Sequence, residues 1–289
     1  MPRRFEVFAG LIKLRLSLGV TFSAVAGYFL CRNTIDNSLF LLIPGVFLLA
    51  SGSAALNQYT ERIQDSIMER TKNRPLPSNT ITGKDAVCIS VLLLFTGSIL
   101  LLITGIIPFA LGILNITLYN YLYTYLKRRT AMSVVPGALV GAVVPLIGYF
   151  SAGALALNKY IIIFSIFMFL WQLPHFWLIL VRYGEEYKSA GFPTILKYFN
   201  EKKVKYMIFI WVLLTTCFLF FSGSVYFGWE VRLMLIILNL LFILLFYRVL
   251  FLKDSSENVR YAFILINSYS FLVMLIIIAV SVMSWSCNR

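Results

Sequence analysis

Long apolar runs, interrupted by short polar patches, set the pattern of this chain. Nine runs approach or reach the length of a bilayer crossing, at residues 13–31, 38–58, 85–104, 107–126, 132–153, 160–181, 205–223, 231–250 and 260–284. At about 1.5 Å of rise per residue, each predicts a helix able to cross a hydrocarbon core about 30 Å thick. The pattern is that of an all-α polytopic membrane protein of about nine transmembrane helices, a single membrane domain over residues 1–289. The third and fourth runs meet at "TGIIPF", and counting them as one would give eight spans; a helix pair joined at Pro108 fits the lengths better. The first run has no small-residue cleavage site, and "FLCRN" lacks the small residue expected before a lipidated cysteine. The first helix is therefore expected to stay in the membrane.

Composition agrees, with 60% hydrophobic and 13% charged residues. The net charge of +13 would suit a nucleic-acid binder, but its placement does not. Lys and Arg number 4 at the N-terminus, 5 in 61–84, 3 in 127–130, 6 in 182–205 and 3 in 248–260, whereas the intervening segments carry only Arg32, Lys159, Arg232 and Arg289. That alternation follows the positive-inside rule. It predicts a multi-pass protein of the cell (inner) membrane with a cytoplasmic N-terminus and the C-terminus on the opposite side. The partner it implies is the lipid bilayer, with no nucleic acid. Cys31, Cys88, Cys217 and Cys287 lack metal-ligand spacing, and no chemistry is assigned to them.

Two of the cytoplasmic loops, 59–84 and 182–204, are longer than a turn requires and hold half of the acids. Asp65 in the first and Glu186 in the second lie 121 positions apart, as do the two copies of "GYF" at 27–29 and 148–150. Equal offsets suggest a 4+4 parallel repeat with an extra ninth helix.

In "NQYTERIQDSIMERTKNRPLP", residues 57–77, a helix continued past the membrane surface places Asn57, Glu61 and Asp65 at i, i+4 and i+8 on one face. Carboxylate and amide oxygens suit a hard cation such as Mg2+, which binds through one or two carboxylates plus substrate phosphates. Arg70, Lys72 and Arg74 follow before Pro75 and Pro77 break the helix. Ordinary surface ion pairs with Arg62, Arg70 and Lys72 would account for the same acids. The second loop, "VRYGEEYKSAGFP", adds Glu185 and Glu186 on the same side of the membrane, so that two acidic clusters could clamp a metal-bound diphosphate.

At these residues the chain resembles the UbiA superfamily of intramembrane prenyltransferases, most closely its protoheme IX farnesyltransferase (heme O synthase) branch. The first motif matches in its Asn, the acids four and eight positions on, and "MxRTxxRPLP". "YTYLKRRT" at 123–130, "PLIGY", "LWQLPHFW" at 170–177 and "EEYKSAGFP" at 185–193 resemble further blocks in the same order. Glu61, Glu185 and Glu186 stand where Asp or a mixed pair is usual, and Ile63 occupies a position often acidic in this branch. The resemblance implies a UbiA-type bundle that transfers a farnesyl group from farnesyl diphosphate to the 2-vinyl group of heme b, with Mg2+ as cofactor and heme b as substrate. Asn57, Glu61, Asp65, Glu185 and Glu186 would then hold the metal. Arg70, Lys72, Arg74 and Lys127 would face the diphosphate.

An allylic cation needs shielding from water and a π face. At helical spacing, Tyr119 and Tyr123 share one face and Tyr121 and Tyr125 another, so two at most line one site; beside "KRR" at a membrane boundary such a cluster is more often an interfacial aromatic belt. His175, the single histidine, lies in an apolar run. It reads as a structural donor, an iron ligand or a propionate partner. Three rivals stand beside this assignment. A UbiA-type enzyme acting on a quinone precursor such as 4-hydroxybenzoate would share the metal site. A cation-coupled transporter would place ionisable groups nearer mid-span, and a structural oxidase subunit would need none of these acids. Contact with a heme A synthase or an oxidase assembly is a partner that only the resemblance raises.

Overall fold

The computed structural model describes residues 4–226, 229–252 and 257–286; Cys287 and Arg289 lie outside them. All regular structure among these residues is helical. Helices α1 (Arg4–Leu11) and α2 (Leu14–Phe29) meet at a bend of 52°. They are followed by α3 (Asn37–Thr60), α4 (Arg62–Ile67), α5 (Gly83–Thr104) and α6 (Ile106–Thr117). The last continues through a π-helical turn, Leu118–Tyr123, into α7 (Thr124–Lys127). The second half holds α8 (Val134–Ser151), α9 (Lys159–Ser189), α10 (Glu201–Tyr226), α11 (Trp229–Phe251) and α12 (Asn258–Ser286). Eight helices among the described residues are long and apolar enough to cross a membrane, and nine if the bent α1–α2 pair is one span. Each predicted run falls on one of these.

Three boundaries differ from the sequence expectation. The break between the third and fourth spans is at Gly105, not Pro108, because Gly105 adopts φ 150, a region that costs a residue with a side chain too much. Pro108 instead sits in the first turn of α6, where its missing N–H costs nothing. The second long loop is helical as far as Ser189, since α9 continues beyond the apolar run through a non-helical residue, Tyr183 (φ −122, ψ 21). Residues before the first span also form a helix, α1, whose last carbonyls at Gly10 and Leu11 accept hydrogen bonds from Gln58 Nε2 at 2.8 and 2.9 Å. These bonds satisfy acceptors a helix C-terminus leaves open.

The helices form two large apolar cores. One gathers α2, α3 and α5 around Leu42, Leu49 and Leu101, and the other gathers α8 to α12 around Phe164, Phe167 and Phe246. Helices α2 and α8 join them by crossing at their backbones. A Cβ on Gly27 would overlap the Pro145 carbonyl, and one on Gly148 would overlap the Ala24 carbonyl. The two contacts are reciprocal, and their partners keep the 121-residue offset seen in the sequence. The following rings repeat the geometry, Tyr28 on Phe29 and Tyr149 on Phe150 each at 5.5 Å and close to perpendicular. A duplicated unit would produce this geometry. Helix α12 closes the bundle against α2, where Phe22 and Phe271 stack at 4.7 Å.

Candidate active site

The acids of the first loop stay in register because the helix bends without losing its hydrogen bonds. Glu61 leaves helical geometry (φ −101, ψ 9), yet its N–H reaches the Asn57 carbonyl at 2.9 Å and the Asp65 N–H reaches the Glu61 carbonyl at 2.8 Å. Asn57, Glu61 and Asp65 therefore form a line along one face, only 3%, 2% and 1% exposed. Buried carboxylates demand partners, and each finds a cation. Lys127 Nζ donates to both Glu61 oxygens at 3.1 and 3.0 Å, and Arg74 Nη1 donates to Asp65 Oδ2 at 2.8 Å.

A third cation comes from an element that motif reading passed over. Lys13, in the break between α1 and α2, adopts the left-handed conformation (φ 48, ψ 55) and donates from Nζ to Asn57 Oδ1 at 3.1 Å. A non-glycine residue there costs about 1–2 kcal/mol. In the sequence Lys13 counts only as one more N-terminal charge, because a positive φ leaves no mark in a Leu-Ile-Lys-Leu string.

The two long loops of the sequence meet. The Arg70 backbone N–H donates to Glu186 Oε2 at 3.0 Å, Arg70 Nη2 donates to the Tyr187 hydroxyl at 3.2 Å, and Met68 packs on Ala190 and Phe192. The Arg70 guanidinium lies over the Tyr183 ring at 4.8 Å, and Lys127 lies over Phe192 at 4.6 Å. Neighbouring positions separate sharply. The Glu185 side chain is 92% exposed and points toward Lys188, away from the acid line, and Lys72 pairs with Glu69 at the surface.

From Asn57 a file of rings runs into the bundle. The Tyr119 hydroxyl donates to Asn57 Oδ1 at 3.4 Å, and Tyr119 stacks on Tyr123 at 5.8 Å. Tyr123 meets Phe176 at 5.9 Å, and Phe176 meets His175 at 5.6 Å. His175 is enclosed by Trp171 at 4.9 Å and Phe263 at 4.7 Å, with the Asn267 side chain of α12 close by. Its Nδ1 is buried with no hydrogen-bond partner among the described residues. Tyr121 and Tyr125 face outward instead, 67% and 52% exposed, so the four tyrosines divide between an inner wall and an outer belt.

No three His, Cys, Asp or Glu side chains converge as a ready-made metal cage among the described residues. Two buried carboxylates and an amide in line fit an ion that takes few protein oxygens and completes its shell with water and phosphate oxygens. The basic residues around them fit the phosphate.

The UbiA prenyltransferase family model matches residues 20–272, and the chain belongs to that family. Over 292 aligned residues it is 32% identical to the protoheme IX farnesyltransferase of Listeria monocytogenes serovar 1/2a, covering 96% of this chain and 95% of the relative. Over 183 residues it is 39% identical to the protoheme IX farnesyltransferase of Geobacter sulfurreducens, covering 63% and 68%. The chain is thus an enzyme of the prenyl-transferring class whose full-length relatives carry that name. Its fold is shared with a digeranylgeranylglyceryl phosphate synthase (TM-score 0.75, 19% identity, 96% of this chain and 99% of that one). It is also shared with a UbiA homolog from Archaeoglobus fulgidus bound to GPP and Mg2+ (TM-score 0.72, 14% identity, 94% and 99%).

Proposed function

We propose that the protein transfers the farnesyl group of farnesyl diphosphate to the 2-vinyl group of protoheme IX, giving heme O and diphosphate. The observation that carries this reading is the continuous path from the buried Asn57–Glu61–Asp65 line, along Tyr119, Tyr123 and Phe176, to His175. Asn57, Glu61 and Asp65, with Glu186 across the cleft, would hold Mg2+, which would supply charge neutralisation for the leaving group. Arg70, Arg74 and Lys127 bind the diphosphate oxygens as the allylic C–O bond breaks and its electron pair leaves with diphosphate. The inner tyrosines shield the carbon that becomes electron-poor, and the vinyl terminus attacks it. Water adds at the carbon next to the porphyrin and loses a proton, completing the hydroxyethylfarnesyl group. His175 holds the acceptor, with its buried Nδ1 offered to iron or to a propionate. The charge asymmetry supports placing the acid line at the cytoplasmic face of the cell membrane.

Transfer to an aromatic quinone precursor would use the same acids, so the acceptor decides. Purified protein supplied with farnesyl diphosphate, Mg2+ and either heme b or 4-hydroxybenzoate is expected to yield a mass corresponding to heme O. Prenylated benzoate without heme O would overturn the assignment.

The two second-loop acids make a paired test. Glu186→Gln weakens the acceptor for the Arg70 backbone N–H, a charge-assisted hydrogen bond whose loss costs about 1.5–3 kcal/mol. That predicts about a tenfold or greater loss of kcat/KM for diphosphate release. Glu185→Gln, at an exposed side chain, is expected to stay within about twofold of wild type. Equal losses in the two variants would show that the second loop does not act through Glu186.

A further inference from the structure

Three side chains in line meet three cations from three separate elements: Asn57 with Lys13, Glu61 with Lys127, and Asp65 with Arg74. Lys127 and Arg74 neutralise carboxylates, whereas Lys13 rests on a neutral amide beside the same two acids. A bare dication arriving at this line would have to displace ammonium and guanidinium groups whose ion pairs, among the described residues, are with these same two acids. A dication arriving with diphosphate brings other anions with it. We propose that Lys13, Lys127 and Arg74 are exchangeable counter-ions, which pass from the Asn57–Glu61–Asp65 line to the diphosphate oxygens as the metal takes their place. Divalent cation and diphosphate then bind cooperatively, and neither binds well alone. The inference rests on the metal–diphosphate reading of the same site.

Lys13 is the positioning residue that this assigns anew. Its ammonium reaches the line because the backbone reverses hand at that residue. The preceding helix is pinned to α3 by Gln58, and Gly10 lies beside Pro75 of the loop that carries Arg74. The N-terminal helix is in this way fastened to both the acid line and one of its counter-ions.

The test measures protein-bound Mn2+ by electron paramagnetic resonance on the purified full chain, at matched free Mn2+, with and without inorganic pyrophosphate. Pyrophosphate is expected to tighten Mn2+ binding about tenfold or more, within the range usual for coupled sites. Equal Mn2+ binding in both arms would overturn the counter-ion proposal while leaving the metal site standing. No bound Mn2+ in either arm would overturn the metal–diphosphate reading and the proposal with it. Lys13→Met is expected to tighten Mn2+ alone severalfold and to shrink the gain from pyrophosphate, with Lys13→Arg restoring wild-type behaviour. A uniform loss in both arms for Lys13→Met, with no recovery in Lys13→Arg, would reduce Lys13 to a packing role.

Discussion

Asp65→Asn is expected to lower Mg2+-dependent diphosphate release by at least about a hundredfold while leaving the protein folded. The substitution keeps the shape of a side chain that is 2% exposed and still gives Arg74 an oxygen to donate to, so packing around it is conserved. What it removes is a full negative charge from a water-poor cleft. Loss of one preorganised electrostatic contact in such a setting costs about 10²–10³ in rate. It also leaves the Arg74 guanidinium without its counter-charge, so the line loses metal affinity and gains an unbalanced cation together. Steady-state diphosphate release in detergent or liposomes, with thermal unfolding as the control for folding, reads both consequences. Wild-type turnover in Asp65→Asn would remove the Asn57–Glu61–Asp65 line from the catalytic site.

Gly148→Ala is expected to produce the largest loss of stability of any single methyl added to the bundle interior. The new Cβ would occupy the position of the Ala24 carbonyl, a backbone atom that no rotamer change can move aside. Helices α2 and α8 would have to separate, opening both apolar cores at their shared wall. Overpacking of this kind costs about 1–3 kcal/mol and more where backbone must shift. Gly19→Ala in α2 is the matched control, because a Cβ there meets nothing within 4 Å. Alanine is the better helix former, so that variant is expected to be neutral or slightly more stable. Thermal unfolding in one detergent should separate the two; similar midpoints would mean that the α2–α8 crossing tolerates a wider gap.

The span count was legible because hydrocarbon thickness imposes a length on every crossing helix, and nine apolar runs of that length can be read without knowing their packing. The acid line was legible for a related reason: an i, i+4, i+8 spacing survives a modest bend, and Glu61 bends while keeping its hydrogen bonds. What escaped was whatever depends on a single residue's backbone state or on partners distant in sequence. Glu185 and Glu186 are equivalent as letters, and only the course of α9 beyond Tyr183 turns one toward Arg70 and the other into solvent. Lys13 was hidden by its left-handed conformation, and Lys127 and Arg74 were visible as phosphate partners but not as the counter-ions of Glu61 and Asp65. The tyrosine cluster fell between these cases. Helical spacing separated its two faces, while which face turned inward waited on the packing of Phe176.

Helix α9 carries both ends of the proposed reaction path, His175 on one side of Tyr183 and Glu186 on the other. That residue is therefore a lever as well as a break. His175 lies about 12 Å along the helix from it, so a change of about 10° in the bend carries the histidine through about 2 Å. A displacement of that size separates van der Waals contact from a gap between two reacting carbons, with no atom of the diphosphate clamp or the acceptor pocket altered. The Arg70 guanidinium lies on the Tyr183 ring itself. Arg70 therefore packs on the residue at which α9 leaves helical geometry, between His175 and Glu186.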